Sequence, residues 1–279
     1  MTKPFLRQIA RAAAILAAAA SLFATVPSHA QGDLLVAPTR VILDGRRGTE
    51  VILSNIGSEE ATYRIGLELR RMAPDGSLLD VATEGANSKE AAALEMIRYA
   101  PRRITLPPGQ PQAVRIGARA GADLPDGEYR VHMSFRAIPK QKAVTEAEQP
   151  SDGGISFKLT PIYGVTIPII VRHGQVSAQV ALNQPKVVQG EKGPELHFSM
   201  SRQGESSTYG ELRVTRPGSS EPIYMVRGLA IYPELENRLV RLPLTAEQAA
   251  ELKGRLRFEY REMPEAGGDV IAAIDTDLG

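Results

Sequence analysis

Residues 155–172, ISFKLTPIYGVTIPIIVR, constrain the fold more than any other stretch of this chain. One parity reads Ile155, Phe157, Leu159, Pro161, Tyr163, Val165, Ile167, Ile169 and Val171, while the other includes Ser156, Lys158, Thr160 and Thr166. A period of two belongs to a β-strand, whose successive side chains point to opposite faces. Run as one strand, the segment would extend roughly 60 Å, well beyond the usual strand of about 3–10 residues. An Ig-size module of about 100 residues cannot bury an apolar row of that length, so part of it must lie at an edge or against something else. Pro161 and Pro168 lack the N–H of a ladder hydrogen bond and fit edge positions. Two readings stay open here. Either two consecutive core strands break near Pro161 or Gly164, or the row is an exposed edge offered to a partner that lacks a strand. An unprotected apolar edge invites aggregation, so retaining one implies a use.

The rest of the chain is strand-like as well. Leu34 to Leu43 ends at the turn dipeptide Asp44-Gly45, and Val51 to Leu53 ends at Asn55-Ile56-Gly57. Tyr63, Ile65, Leu67 and Leu69 alternate with polar residues, as Tyr129, Val131, Met133 and Phe135 do later. Pro74-Asp75-Gly76, Pro108-Gly109 and Pro125-Asp126-Gly127 supply turn residues between the runs. After His173-Gly174 the pattern restarts, with runs near 177–182, 195–200, 209–214, 223–231, 238–242 and 255–260. Helical signals are few: Asn87 with Glu90 before Ala91–Ile97, and the capping-box pattern Thr245 to Gln248. Many short strands with scarce helix predict an all-β chain of two Ig-like β-sandwich domains joined at an angle, residues 31–173 and 174–279.

The first thirty residues read as an address rather than as fold. Lys3, Arg7 and Arg11 precede the uncharged run AAAILAAAASLFAT, and Ser28 and Ala30 are the small residues of a cleavage site before Gln31. The run is shorter than the roughly 20 apolar residues of a membrane span. Residues 1–30 are therefore expected to be a cleaved signal peptide, and no later segment is apolar enough to span a bilayer. Its removal takes three basic side chains and no acidic one, moving the formal net charge from +1 to −2.

Composition removes whole classes of function. Of 279 residues, 33 are basic and 32 acidic, which argues against a nucleic-acid partner. There is no Cys, so disulfides, thiolate metal sites and a Cys nucleophile are excluded. Outside the leader, His132, His173 and His197 lie far apart, and neither G-x-S-x-G nor H-E-x-x-H occurs. No catalytic residue, cofactor or metal ligand is expected.

Several stretches together resemble one family, the PapD-like periplasmic chaperones of pilus and fimbria assembly. They are Ala37-Pro-Thr-Arg-Val-Ile-Leu-Asp-Gly45, Val51 to Asn55, YAPRRITLPPG at Tyr99–Gly109 and Val114-Arg115-Ile116. Leu124-Pro-Asp-Gly-Glu-Tyr129, MSFRAIP ending at Pro139 and the long strand follow in the family's order. The resemblance covers most of residues 34–172; the second half is matched only by position and strand pattern. It implies a non-enzymatic chaperone that lends a strand to pilus or fimbrial subunits (donor-strand complementation) and delivers them to an outer-membrane usher. It also implies a role for Arg40, in the Pro-Thr-Arg-Val motif, as the anchor of the subunit's terminal carboxylate. The family's usual lysine on the long strand is missing: Thr166 and Pro168 stand there, with Thr166 as an auxiliary anchor. Ile155, Phe157, Leu159, Pro161 and Tyr163 would form the donor row. An exported Ig-like surface adhesin or scaffold remains the alternative, and an Arg40 unaided by the resemblance reads better as an exposed strand charge.

Overall fold

The computed structural model describes residues 34–121, 123–139 and 162–279. The expected signal peptide (residues 1–30), residues 140–154 and four of the expected donor-row residues (Ile155, Phe157, Leu159 and Pro161) lie outside the described residues.

The described strands form two β-sandwiches. In the first, β1 (Leu34–Ala37), β3 (Thr49–Asn55), β8 (Pro111–Ala118) and β6 (Ile97–Ala100) make one sheet in that order. The facing sheet runs β2 (Val41–Leu43), β10 (Gly164–His173), β9 (Gly127–Ile138), β4 (Ala61–Met72) and β5 (Leu78–Val81), with β7 (Arg103–Leu106) also on β4. The alternation seen in the sequence sets which residues meet: Val51, Leu53, Val114 and Ile116 bury against Tyr63, Val131, Met133, Phe135 and Ile169. Tyr129 is anchored near the start of β9 by donating its hydroxyl to Pro125 O at 2.7 Å, a corner typical of Ig-like sandwiches.

The second sandwich has one sheet of β11 (Ala178–Gly190), β12 (Gly193–Gly204) and β15 (Asn237–Pro243). Its other sheet is β14 (Pro222–Ile231), β13 (Thr208–Thr215), β16 (Gly254–Glu262) and β17 (Val270–Leu278). Leu196, Phe198, Met200, Leu212, Val214 and Phe258 fill its core. Both capping boxes form. Asn87 Oδ1 accepts from Glu90 N at 2.9 Å and starts the helix Ser88–Met96, and Thr245 Oγ1 accepts from Gln248 N at 3.2 Å before Ala246–Glu251.

Two differences from the sequence expectation have plain causes. The run Leu34–Leu43 is not one strand: β1 pairs antiparallel with β3, the chain crosses at Pro38–Arg40, and β2 pairs parallel with β10 in the other sheet. The last strand, β17, was not expected because its core contacts, Ile271, Ala272, Ile274 and the buried Leu278, are spread among small and acidic residues at the rim of a sheet.

The chain passes from β10 to β11 through Gly174, whose φ of +68° is a left-handed conformation. A Cβ there would stand 1.9 Å from Asp126 Oδ1, while Asp126 Oδ2 accepts from Gln175 N at 3.0 Å. Gly174→Ala should therefore lose about 1–3 kcal/mol of stability in denaturant unfolding, through strain at φ and displacement of Asp126. Unchanged unfolding would show that this passage is not a fixed turn.

Candidate functional site

Strand β10 has one side covered and one side partly open. β9 pairs with it along its whole length, from Gly164↔Arg136 to His173↔Gly127. On the other side β2 pairs only with Ile169, Ile170 and Val171. Among the described residues, no strand pairs with that side of Gly164–Pro168. Such an edge carries unpaired backbone N–H and C=O groups in a row. Just before it, Ile162 is 63% and Tyr163 47% exposed. Tyr163 shares the parity of Val165, Ile167, Ile169 and Val171, which turns into the sandwich core along β10. Thr166, Pro168, Ile170 and Arg172 have the opposite parity, and Ile170 and Arg172 touch the second sandwich.

Arg40 stands where the open edge ends. Val41 pairs with Ile169 in a parallel register, so Arg40, one residue earlier, is level with Pro168. Arg40 is not an exposed strand charge; it is half-buried against the second sandwich. Its Nη2 donates to Ser207 Oγ at 2.9 Å and its Nη1 to Tyr232 Oη at 3.4 Å. The guanidinium carbon lies 4.9 Å from the ring centre of Tyr209 and 5.7 Å from that of Tyr232, within cation–π range. Clefts of about 520 and 240 Å³ open on this region, and Thr39, Arg40 and Tyr209 line both.

Ser207 is held by a carboxylate beneath it. Glu128 Oε2 accepts from Ser207 N at 2.9 Å and from Ser207 Oγ at 2.8 Å, with Arg172 Nε 3.4 Å away. Arg172 Nη2 also donates to Ser207 O at 3.0 Å. Glu128 is fully buried, and a buried carboxylate persists only with such compensation. A second polar group holds the sandwiches further along: Glu234 Oε1 accepts from Arg130 Nη2 at 2.6 Å and from Met72 N at 2.8 Å. Between these two groups, Met72, Ile170, Ala230 and Tyr232 form a small apolar cluster.

Of the residues expected at the site, the structure describes Arg40, Tyr163 and Thr166. Arg40 and Thr166 have the parity that faces away from the first core, and Tyr163 has the other. Ser207, Tyr209 and Tyr232 were missed. They come from the second sandwich, more than 160 residues from Arg40 in the chain, and no local motif announces them. Among the described residues there is no cluster of His, Asp and Glu fit to hold a metal, and no helix long and apolar enough to cross a membrane.

His132 sits opposite Pro168 and Glu68 in the same sheet, buried, with no hydrogen bond to either ring nitrogen. Burial, reinforced by the charges of Arg130, Arg70 and Arg40, pushes its imidazole down to about 3. In the unfolded chain it titrates near pH 6.5, so between about pH 6.5 and 3 the unfolded state binds a proton that the native state refuses. Above that window the group adds no pH dependence; within it, stability falls as pH falls, by a few kcal/mol at the acid end. His132→Met should flatten the loss measured between pH 7 and 5 in urea unfolding. An equally steep loss in the variant would assign the slope to other groups.

Comparison with known proteins gives likeness in structure only. No protein-family model and no curated protein matches the chain. Among solved structures it is similar to a chain of the chaperone–tip adhesin complex of CFA/I fimbriae biogenesis, at 10% identity and TM-score 0.45, covering 88% of this chain and 99% of that one. It is similar to a chain of the CsuC–CsuE chaperone–tip adhesion subunit pre-assembly complex of Acinetobacter baumannii, at 12% identity and TM-score 0.43, covering 88% and 98%. It is also similar to the Pseudomonas aeruginosa CupB2 chaperone, at 14% identity and TM-score 0.44, covering 88% and 100%.

Proposed function

We propose that this chain is a non-enzymatic periplasmic chaperone of pilus or fimbrial subunits, exported by its signal peptide and built as domains 31–173 and 174–279. It captures a subunit by strand addition to β10 and passes it to an outer-membrane usher. The observation that carries this reading is the register at the open edge: β2 begins to pair only at Ile169, and Arg40 stands level with Pro168, where the unpaired stretch ends.

That register also selects a direction. A chain whose last residue gives its carboxylate to Arg40 must run from the level of Gly164 toward Pro168, parallel to β10. The opposite direction would bring an amino terminus to a guanidinium. Parallel addition supplies main-chain hydrogen bonds to the groups left unpaired along Gly164–Pro168, while Arg40 fixes the register by binding the terminus. The donor row Ile155, Phe157, Leu159, Pro161 and Tyr163 would then fill the apolar groove of the subunit. No nucleotide is needed, since exchange for a better-fitting strand can release the subunit. Thr166, two positions from Pro168 on the same side of β10, is the auxiliary donor.

The test is periplasmic co-expression with a small fimbrial subunit followed by affinity capture. Arg40→Ala should abolish capture while lowering stability by about 1 kcal/mol for the lost Ser207 hydrogen bond, a modest change in melting temperature. Leu159→Glu should also block capture and leave the fold intact. Undiminished capture by the Arg40 variant would remove Arg40 from the site. A wild-type protein that emerges alone, whatever subunit is supplied, would favour the surface-scaffold alternative.

A further inference from the structure

The turn Pro74-Asp75-Gly76 at the end of β4 rests on the second sandwich. Leu239 N donates to Pro74 O at 2.7 Å, and the neighbouring Arg238 of β15 packs against Gly76. A Cβ at Gly76 would stand 2.3 Å from Arg238 Nη2 and 2.4 Å from its Nε, so glycine here makes room for the guanidinium. Arg238 Nη1 donates to Ala230 O, but its Nε is buried without a hydrogen bond. Among the described residues no carboxylate pairs with it. Asp75 is the near candidate, and its Oδ1 is taken by Ser77 N at 2.9 Å and Ser77 Oγ at 2.7 Å. Arg40 is in the same condition: its partners are two hydroxyls, and its Nε is buried and unbonded.

Both guanidiniums line the cleft of about 240 Å³, together with Pro168, Tyr209 and Tyr232. A partly buried cation without an ion-pair partner is costly. Burial holds the Arg238 guanidinium below its ordinary value, as expected for a charge awaiting compensation. What relieves all of this at once is a bound anion. The planar guanidinium fork favours a carboxylate, which two such forks can hold from different sides.

We infer that Arg238 of the second sandwich is the second cation of the carboxylate site, clamping with Arg40 the C-terminal carboxylate of the captured chain where β10 offers only Pro168. This rests on the proposed capture of a chain terminus at Arg40. It assigns the second sandwich a direct part in binding rather than only a part in buttressing Arg40.

The test uses the full secreted chain and a ten-residue peptide of alternating valine and threonine, as the free acid and as the C-terminal amide, with affinities from calorimetry. The wild type should prefer the acid by about tenfold or more, the size expected of charge-assisted hydrogen bonds. Arg238→Gln keeps a donor for Ala230 O and should lose most of that preference. If the glutamine variant fails to fold, Arg238→Lys, which keeps the charge without the fork, should show a smaller preference than the wild type. A preference undiminished in whichever variant folds overturns the two-arginine clamp and leaves capture at Arg40 standing. Equal treatment of acid and amide by the wild type, including no binding of either, overturns the capture reading and the clamp with it.

Discussion

Three residue pairs, Ile169–Val41, Ile170–Ile42 and Val171–Leu43, govern the candidate site. Because the first strand spends Leu34–Ala37 in one sheet and only then crosses to the other, it reaches β10 late and covers only part of its side. Backbone groups left open on a strand edge normally have to be hidden, twisted away or charged. Here the opening is short, begins beside the exposed Ile162 and Tyr163, and ends at a half-buried arginine. An edge closed at one end by a cation can distinguish chain termini and directions, which a plain edge cannot.

The second sandwich gives that arginine its setting. Arg40 is held by Ser207, which in turn is held by the buried Glu128, with Arg172 completing the group. Glu234 with Arg130 and the backbone of Met72 makes a separate attachment. Buried ion pairs contribute little net stability against well-packed apolar substitutes, because desolvation offsets the attraction. Their effect is geometric: a carboxylate that accepts from a hydroxyl, a backbone N–H and a guanidinium tolerates few alternative arrangements. Packing of Met72, Ile170, Ala230 and Tyr232 supplies the apolar part of the same contact. The stability loss on acidification expected from His132 would act on this sheet, whose polar face carries the site.

Local features of the sequence were legible where local physics decides them. Alternation of Tyr63, Ile65 and Leu69, and of Tyr129, Val131, Met133 and Phe135, gave the inward face of the central strands, which are buried. The two capping boxes needed only residues three apart. Arg40 stood out through its motif, not through any physical signal in its neighbours. Ser207, Tyr209, Tyr232 and Arg238 were not legible, because their importance comes from contacts spanning well over a hundred residues. Tyr209 and Arg238 are strand residues, Ser207 and Tyr232 lie next to strand ends, and none is unusual when read locally. The division of Leu34–Leu43 was hidden for a related reason: both pieces are apolar, and the choice of sheet is made by the partners β3 and β10.

Hydrogen exchange on β10 tests the central claim most directly. In the free protein, amides of Gly164–Ile167 that point away from β9 should exchange quickly, while those of Ile169–Val171, flanked by β9 and β2, should be slow. Binding of a subunit through its terminal strand should slow exchange along Gly164–Ile167 and leave Ile169–Val171 unchanged. Protection that appears elsewhere on the molecule, with the Gly164–Ile167 amides still exchanging at the free rate, would contradict strand addition at this edge.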